Sequence, residues 1–306
     1  MTEVRELTEL ITPGPAEALA GLLGVPAPDP EAALPLLWHW GYLLDRPPQA
    51  VLGTDGHPAR DAIPSPPAPG LRRMFAGGRI SQHGPLRTGA QATRRTWQAS
   101  SALKHGRSGP LHFVTVRSEI SQDGRVVITE EQDLVYREPA PQPPPAPLAP
   151  PAPPGPPPAP PELVSAPPEL VSAGEPGPAG EPGPAGEPPP AGARDWPVEV
   201  DSVLLFRFSA LTYNAHRIHY DRDYARGEGY PGLVVHGPLQ ALLMAELARR
   251  EAALPVLCDY SYRLVAPLFE GQGLIVSAGA DGAVVRVTAR DAADRTTATG
   301  VIHALR

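Results

Sequence analysis

One amide, one imidazole and one helix start carry the chemistry that this sequence can offer. Asn214 and His219 lie five residues apart in Tyr213-Asn-Ala-His-Arg-Ile-His219. Seventeen residues further on, His236-Gly237-Pro238 opens an Ala/Leu-rich segment. Neutral imidazole accepts a proton near pH 7, and an amide can hold a water in place by donating to it and accepting from it. Free N–H groups at a helix start can hold the oxyanion that develops on a carbonyl. A polar loop facing such a helix end suits proton transfer beside a polarised carbonyl, as in a thioester. Pro238 is a favoured first helical residue. His216, Asp221 and His236 are further polar groups near the motif; helix capping accounts for Asp221 and loop lining for His236.

These groups need elements to hold them. Val203-Leu-Leu-Phe-Arg-Phe208 reads as a strand leading into the motif. Asp221 reads as the N-cap of a short helical turn over 222–226. A Gly-containing loop follows, then a helix over 238–251 with Leu239, Leu242, Leu243 and Leu247 on one side. Four strands are expected next, at 259–265, 273–278, 283–290 and 296–303. One long helix followed by sequential antiparallel strands implies a curved sheet wrapped on that helix.

The first half reads as helix over Thr2–Leu10 and again over Pro15–Leu23, from apolar spacing of three and four. Leu36–Leu44 is a compact aromatic run and Leu52–Pro58 a turn. Strands follow at 72–80, 91–103, 111–117 and 126–136, and Asp123-Gly124 marks a hairpin between the last two.

Between the halves, residues 139–193 hold 24 of the 44 prolines. Pro-Pro-Glu-Leu-Val-Ser-Ala occurs at 160–166 and again at 167–173, and five Gly-x-y triplets follow from Gly174. Five triplets are too few for a collagen triple helix. The stretch reads as a Pro/Gly/Ala-rich disordered linker, a semi-rigid polyproline spacer. The organisation is therefore 1–138, the linker 139–193, and 194–306.

A net charge of -7 excludes a broad basic surface for nucleic acid. All 26 basic residues except Lys104 are arginine. The single cysteine, Cys258, rules out an intrachain disulfide and fits a reducing compartment. The charged start and the lack of a long apolar run argue against a signal peptide and a membrane span. A cytoplasmic protein is expected.

The C-terminal half resembles the MaoC-like, hydratase 2 class of hot-dog proteins, whose motif runs Gly-Asp-x-Asn-Pro-Leu-His. The family's histidine falls on His219, and its aspartate falls on Asn214. Ser209-Ala-Leu-Thr-Tyr-Asn-Ala-His-Arg-Ile-His-Tyr-Asp221 and Tyr230-Pro-Gly-Leu-Val-Val-His-Gly-Pro238 resemble one branch closely. That branch holds the type 2 hydroxyacyl-thioester dehydratases and the mesaconyl-C4-CoA or itaconyl-CoA hydratases. Trp38-His-Trp40, Leu52–Pro58, Arg73-Met-Phe-Ala-Gly-Gly-Arg79 and Gln132–Arg137 look like its first half.

The resemblance implies an α+β double hot dog, two antiparallel sheets each wrapped on a central helix and packed sheet to sheet. It implies a hydro-lyase that reversibly adds water to an enoyl thioester of CoA or acyl carrier protein, with no cofactor. His219 moves the proton, Asn214 orients water, and Gly237 binds the thioester oxygen with His236 beside it. Arg217 and Arg222 are the candidates for substrate contact, and the Lys104–Gly109 loop for the CoA diphosphate. His216, His219 and His236 form an incomplete metal set with no cysteine nearby, so no metal is expected. A homodimer is compatible with this reading. The rival readings are a hot-dog thioesterase, which calls for a carboxylate base, and a non-catalytic acyl-binding scaffold whose Pro-x-x-Pro segments recruit a partner.

Overall fold

The computed structural model describes residues 3–138 and 193–305, apart from 31, 61, 65, 69, 107, 108 and 253. The linker's heptads and triplets, and Arg107, lie outside the described residues.

The first half runs β1 (Val4–Leu10), α1 (Pro13–Leu23), β2 (Arg72–Gln82), β3 (Gln91–Gly106), β4 (Gly109–Gln122) and β5 (Arg125–Arg137). The second runs β6 (Arg194–Val198), α2 (Ser202–Leu211), α3 (Arg222–Gly227), α4 (Gly237–Ala252), β7 (Cys258–Leu264), β8 (Leu274–Asp281), β9 (Val284–Arg290) and β10 (Thr296–Ala304). Asp123 and Gly124, at φ 52° and 73°, close the β4–β5 hairpin as expected of Asp-Gly.

Two expected elements change type. Thr2–Leu10 reads as helix, yet Val4–Leu10 is an edge strand paired with β3, Val4 opposite Trp97 and Leu10 opposite Gln91. Its residues alternate between exposed and half-buried, so the period is two and not 3.6. Val203–Phe208 reads as strand, yet it lies inside α2, capped by Asp201, whose carboxylate accepts from Leu204 N at 2.8 Å. Leu205, Phe208 and Ser209 form the inner face of that helix, and Val203 and Phe206 point outward.

Helix α4 is the centre of the second half. Every residue from Gly237 to Ala248 except Pro238 is buried, which exceeds the one-sided burial read from its leucines. A helix covered all round must have its polar groups satisfied inside. Thr297 Oγ1 donates to Gln240 Oε1 at 2.7 Å, and Glu246 receives Arg249 at 2.6 Å and Arg250 at 3.1 Å. The helix packs on β8, β9 and β10. In the first half, α1 and a 3-10 turn at Trp38–Gly41 take the helical place, with Tyr42 donating to Thr12 O and accepting from Ala16 N.

The halves do not pack sheet to sheet. They join edge to edge into one ten-stranded sheet of order β1-β3-β4-β5-β2-β7-β10-β9-β8-β6. The seam is β2 against β7, antiparallel from Gly77 opposite Arg263 to Gln82 opposite Cys258. Two glycines allow it. A Cβ on Gly77 would lie 2.4 Å from Tyr262 O, and one on Gly78 2.6 Å from Tyr262 Oη and 2.7 Å from Glu131 O. Gly77 also sits at φ 149°, where side chains are strained. Gly77→Ala should therefore lower the unfolding free energy by about 2 kcal/mol or more, from strain plus a clash with backbone. Urea unfolding followed by circular dichroism measures this; an unchanged midpoint would show that the seam tolerates a side chain.

Candidate active site

A cleft of about 2190 Å³ runs between the two halves and is lined from both. The C-terminal wall is the motif. Beyond α2 the chain turns through Tyr213 at φ 51°, and Asn214 N donates to Ser209 O at 2.8 Å. Asn214 Oδ1 accepts from His216 N at 3.0 Å. That bond fixes the amide's orientation, so the –NH₂ end is the part left to face the cleft.

His219 is 7% exposed and lines the cleft. Its Nδ1 lies 2.7 Å from Val234 O. A carbonyl can only accept, so Nδ1 carries the proton and Nε2 keeps its lone pair. Burial pushes the imidazole pKa down to about 4, opposed in part by the bond to Val234, so the ring is neutral at pH 7. Ile218 O accepts from Val234 N at 2.9 Å, and Val235 N donates to Leu268 O at 2.8 Å, which anchors the strip facing His219.

His236 stacks on His219 at 3.6 Å between ring centroids and 20° between planes. It is fully buried, bonded through Nε2 to Ser209 Oγ at 2.9 Å, and edge-on to Phe208. It forms the floor under the catalytic candidate and is not among the cleft-lining side chains. Next to it, Gly237 begins α4, and its N–H has no hydrogen-bond partner among the described residues. A Cβ there would lie 2.0 Å from Leu264 Cδ1 and 3.2 Å from Phe75 Cδ1, so the position is closed to side chains. Val235 and Pro238 on either side line the cleft.

The first half contributes what the sequence reading missed. The turn at Leu52–Pro58 docks on the motif loop. Arg217 N donates to Asp55 O at 2.9 Å, and Arg217 Nη1 to Thr54 O at 3.1 Å. Gly56, at φ 89°, presses so closely that a Cβ would lie 1.8 Å from Ala215 O. This brings His57 to His216, with ring centroids 4.2 Å apart, and His216 to His219 at 5.4 Å. Asp55 backs His57, its carboxylate 3.2 Å from Nδ1. Burial is the first cause that holds both His57 and His216 below the usual imidazole range, and the positive charge of Arg73 adds to it. The Asp-Gly-His triplet in the 52–58 turn was the available signal, but nothing local says which surface that turn meets.

Other expected site residues lie elsewhere. Arg217 is committed to Asp221 at 2.7 Å and to the face of Tyr224, and Arg222 to Glu270 at 2.7 Å; neither lines the cleft. Asp221 caps α3 by accepting from Tyr224 N at 2.9 Å, as its sequence reading anticipates. Lys104 sits over the ring of Phe113 on the exposed end of β3, away from the cleft. In the His216/His219/His236 set, for which no metal is expected, His219 and His236 lie face to face. Asp55, His57 and His216 do bring one donor atom each within 4.8 Å of one another. The Asp55–His57 bond and the charge of Arg73 make that group a poor fit for a divalent cation.

Folding holds His57, His216, His219 and His236 neutral with pKa values below the unfolded one of ~6.5. As pH falls through that value the unfolded chain binds protons that the folded chain refuses, so stability is full above it and is lost below. Unfolding midpoints measured at pH 7.5, 6 and 5 should fall stepwise, and His216→Asn should flatten the fall. A midpoint constant to pH 5 would contradict the burial of these rings.

Comparison with known proteins identifies the family. The family model described as hydroxyacyl-thioester dehydratase type 2 matches residues 37–165 and 169–270. The mesaconyl-C(4)-CoA hydratase of Chloroflexus aurantiacus is 46% identical over 246 residues, which is 80% of this chain and 74% of that protein. HtdX of Mycobacterium tuberculosis superposes with a TM-score of 0.61 at 17% identity, covering 98% of this chain and 100% of that one. A second Mycobacterium tuberculosis structure, described as a double hot-dog fold, gives 0.53 at 17% identity, covering 99% and 96%. Within the described residues no helix is long and apolar enough to cross a membrane. The protein is a double hot-dog hydro-lyase, and it belongs to the hydroxyacyl-thioester dehydratase type 2 family.

Proposed function

We propose that the cleft adds water to a C4-dicarboxylic enoyl-CoA of the mesaconyl type, with His219 as the proton carrier. One observation carries the reading: His219 is locked by Val234 O as a neutral ring whose free Nε2 belongs to the cleft. The 46% identical hydratase supports the substrate class. A cleft of about 2190 Å³ is ample for a CoA thioester, since drug-sized ligands occupy roughly 300–1,000 Å³.

The steps follow from the donors and acceptors. A water donates to His219 Nε2 and accepts from the Asn214 –NH₂. As its oxygen bonds to Cβ, its proton passes to Nε2, and the C=C electrons move through Cα to the thioester oxygen. The Gly237 N–H at the start of α4 stabilises that oxyanion. The imidazolium then returns its proton to Cα on the same face, and the 3-hydroxyacyl thioester leaves. Neutral imidazole is restored, and no second acid is needed. Run backwards, the same ring removes the Cα proton and protonates the departing hydroxide. This deals with the amide at position 214: Asn214 cannot carry a proton, and in this sequence it does not have to.

Three outcomes test the roles. His219→Ala should lower kcat for hydration about 10²–10⁴-fold with the circular dichroism spectrum unchanged, read as loss of enoyl-thioester absorbance. Full activity in that variant would remove His219 from the mechanism. Because the working base is neutral His219, with a pKa of about 4, kcat/KM should hold level from pH 8 to about 5 and decline only below. A limb near 6.5 would mean the ring is solvated and not buried. Release of free thiol without water addition would point to a thioesterase in place of a hydratase.

A further inference from the structure

A C4-dicarboxylic enoyl thioester imposes a geometric demand that a monocarboxylic one does not. Its second carboxylate is attached to Cβ, the carbon that takes water. Whatever receives that carboxylate must therefore stand beside the imidazole cluster, within a few bonds of where water attacks. It must also carry positive charge with no competing internal anion.

Most cationic side chains of the cleft fail the second condition. Arg72 is bonded to Glu228 at 2.6 Å, Arg94 to Asp45 at 2.7 Å, and Arg295 to Asp291 at 2.9 Å. Arg226 leans on Asp223 at 3.7 Å and is largely solvated. Arg73 differs. It lines the cleft on β2, opposite Tyr136 of β5, half-buried, and its guanidinium makes no hydrogen bond or ion pair with another described residue. Its charge is felt by His57 and His216, the two rings that continue the row from His219. Arg137 also has no carboxylate partner among the described residues, and its Nε is buried and unpartnered there, but its charge figures at none of the four rings.

We propose that Arg73 receives the substrate's second carboxylate and sets the preference of this cleft for dicarboxylic over monocarboxylic enoyl thioesters. The inference rests on the hydratase reading of the same site. A guanidinium forms paired hydrogen bonds to a carboxylate in one plane. Such a contact would hold Cβ in register with the water between His219 and Asn214. A half-buried arginine with no carboxylate partner among the described residues also penalises a substrate that brings only a methyl group there.

The test uses the purified full-length protein with mesaconyl-C4-CoA and crotonyl-CoA, the latter carrying a methyl group where the former carries its carboxylate. The wild type should favour the dicarboxylic substrate. Arg73→Gln should lower kcat/KM for mesaconyl-C4-CoA on the order of 10²–10³-fold and change that for crotonyl-CoA less than about threefold. Arg73→Lys should recover part of the loss, since it keeps the charge and loses the paired geometry. In the wild type alone, free mesaconate should compete with substrate and crotonate should not, which holds even if the glutamine variant folds poorly. Equal loss on both substrates in Arg73→Gln, or a shift of preference in Arg137→Gln and not in Arg73→Gln, would overturn the assignment. A wild type that hydrates crotonyl-CoA better would also overturn it while leaving the hydratase reading intact. A wild type that hydrates neither would remove both.

Discussion

The hydrogen bond from His219 Nδ1 to the Val234 carbonyl is the constraint on which the site depends. It selects the tautomer, aims Nε2 at the cleft and ties the motif loop to the strip entering α4. Around it the protein buries the ring to 7% exposure. His236 covers one face at 3.6 Å, His216 meets it edge-on at 5.4 Å, and Ser209 holds His236 from below. Burial of this kind makes a weak base, and a weak base makes a strong acid once protonated. One ring can therefore take a proton from water and return it to carbon within a single turnover.

The second dependency is the union of the halves. The motif lies wholly in the C-terminal half, yet the wall opposite it comes from β2 and the 52–58 turn. Gly77 and Gly78 let β2 run against β7, and Gly56 lets the turn reach the Ala215 carbonyl. None of these three glycines is assigned a part in the proton transfer. Each is nevertheless a place where a single methyl group would separate the walls of the cleft.

Much of this was legible in the sequence for physical reasons. The Asp123-Gly124 turn, the Asp221 cap, α4 and the four strands after it were read from turn chemistry and periodicity, and all are present. Of the residues singled out, Asn214 and His219 line the cleft, and Gly237 begins α4 between the cleft-lining Val235 and Pro238. The failures share a cause. Val203–Phe208 is a short apolar run, which periodicity alone cannot assign; the Asp201 cap that starts α2 was the overlooked signal. Val4–Leu10 fits apolar spacing of three and four by accident, and pairing with β3 decides its type. Arg217 and Arg222 were chosen for nearness in sequence to the motif, but carboxylates at Asp221 and Glu270 claim them. Arg73 and His57 are brought in by tertiary docking, which no local pattern encodes.

A continuous sheet of ten strands has two outer margins, and each is treated differently. At one, β6 is only five residues long and carries Pro197 against β8, a residue that offers no N–H to a newcomer. At the other, β1 presents Arg5, Glu6 and Glu9 among its apolar residues, charges that a docking strand would have to desolvate. Growth of the sheet by stacking further copies side by side is discouraged at both rims, so the long β3–β4–β5 strands can remain extended without seeding fibres.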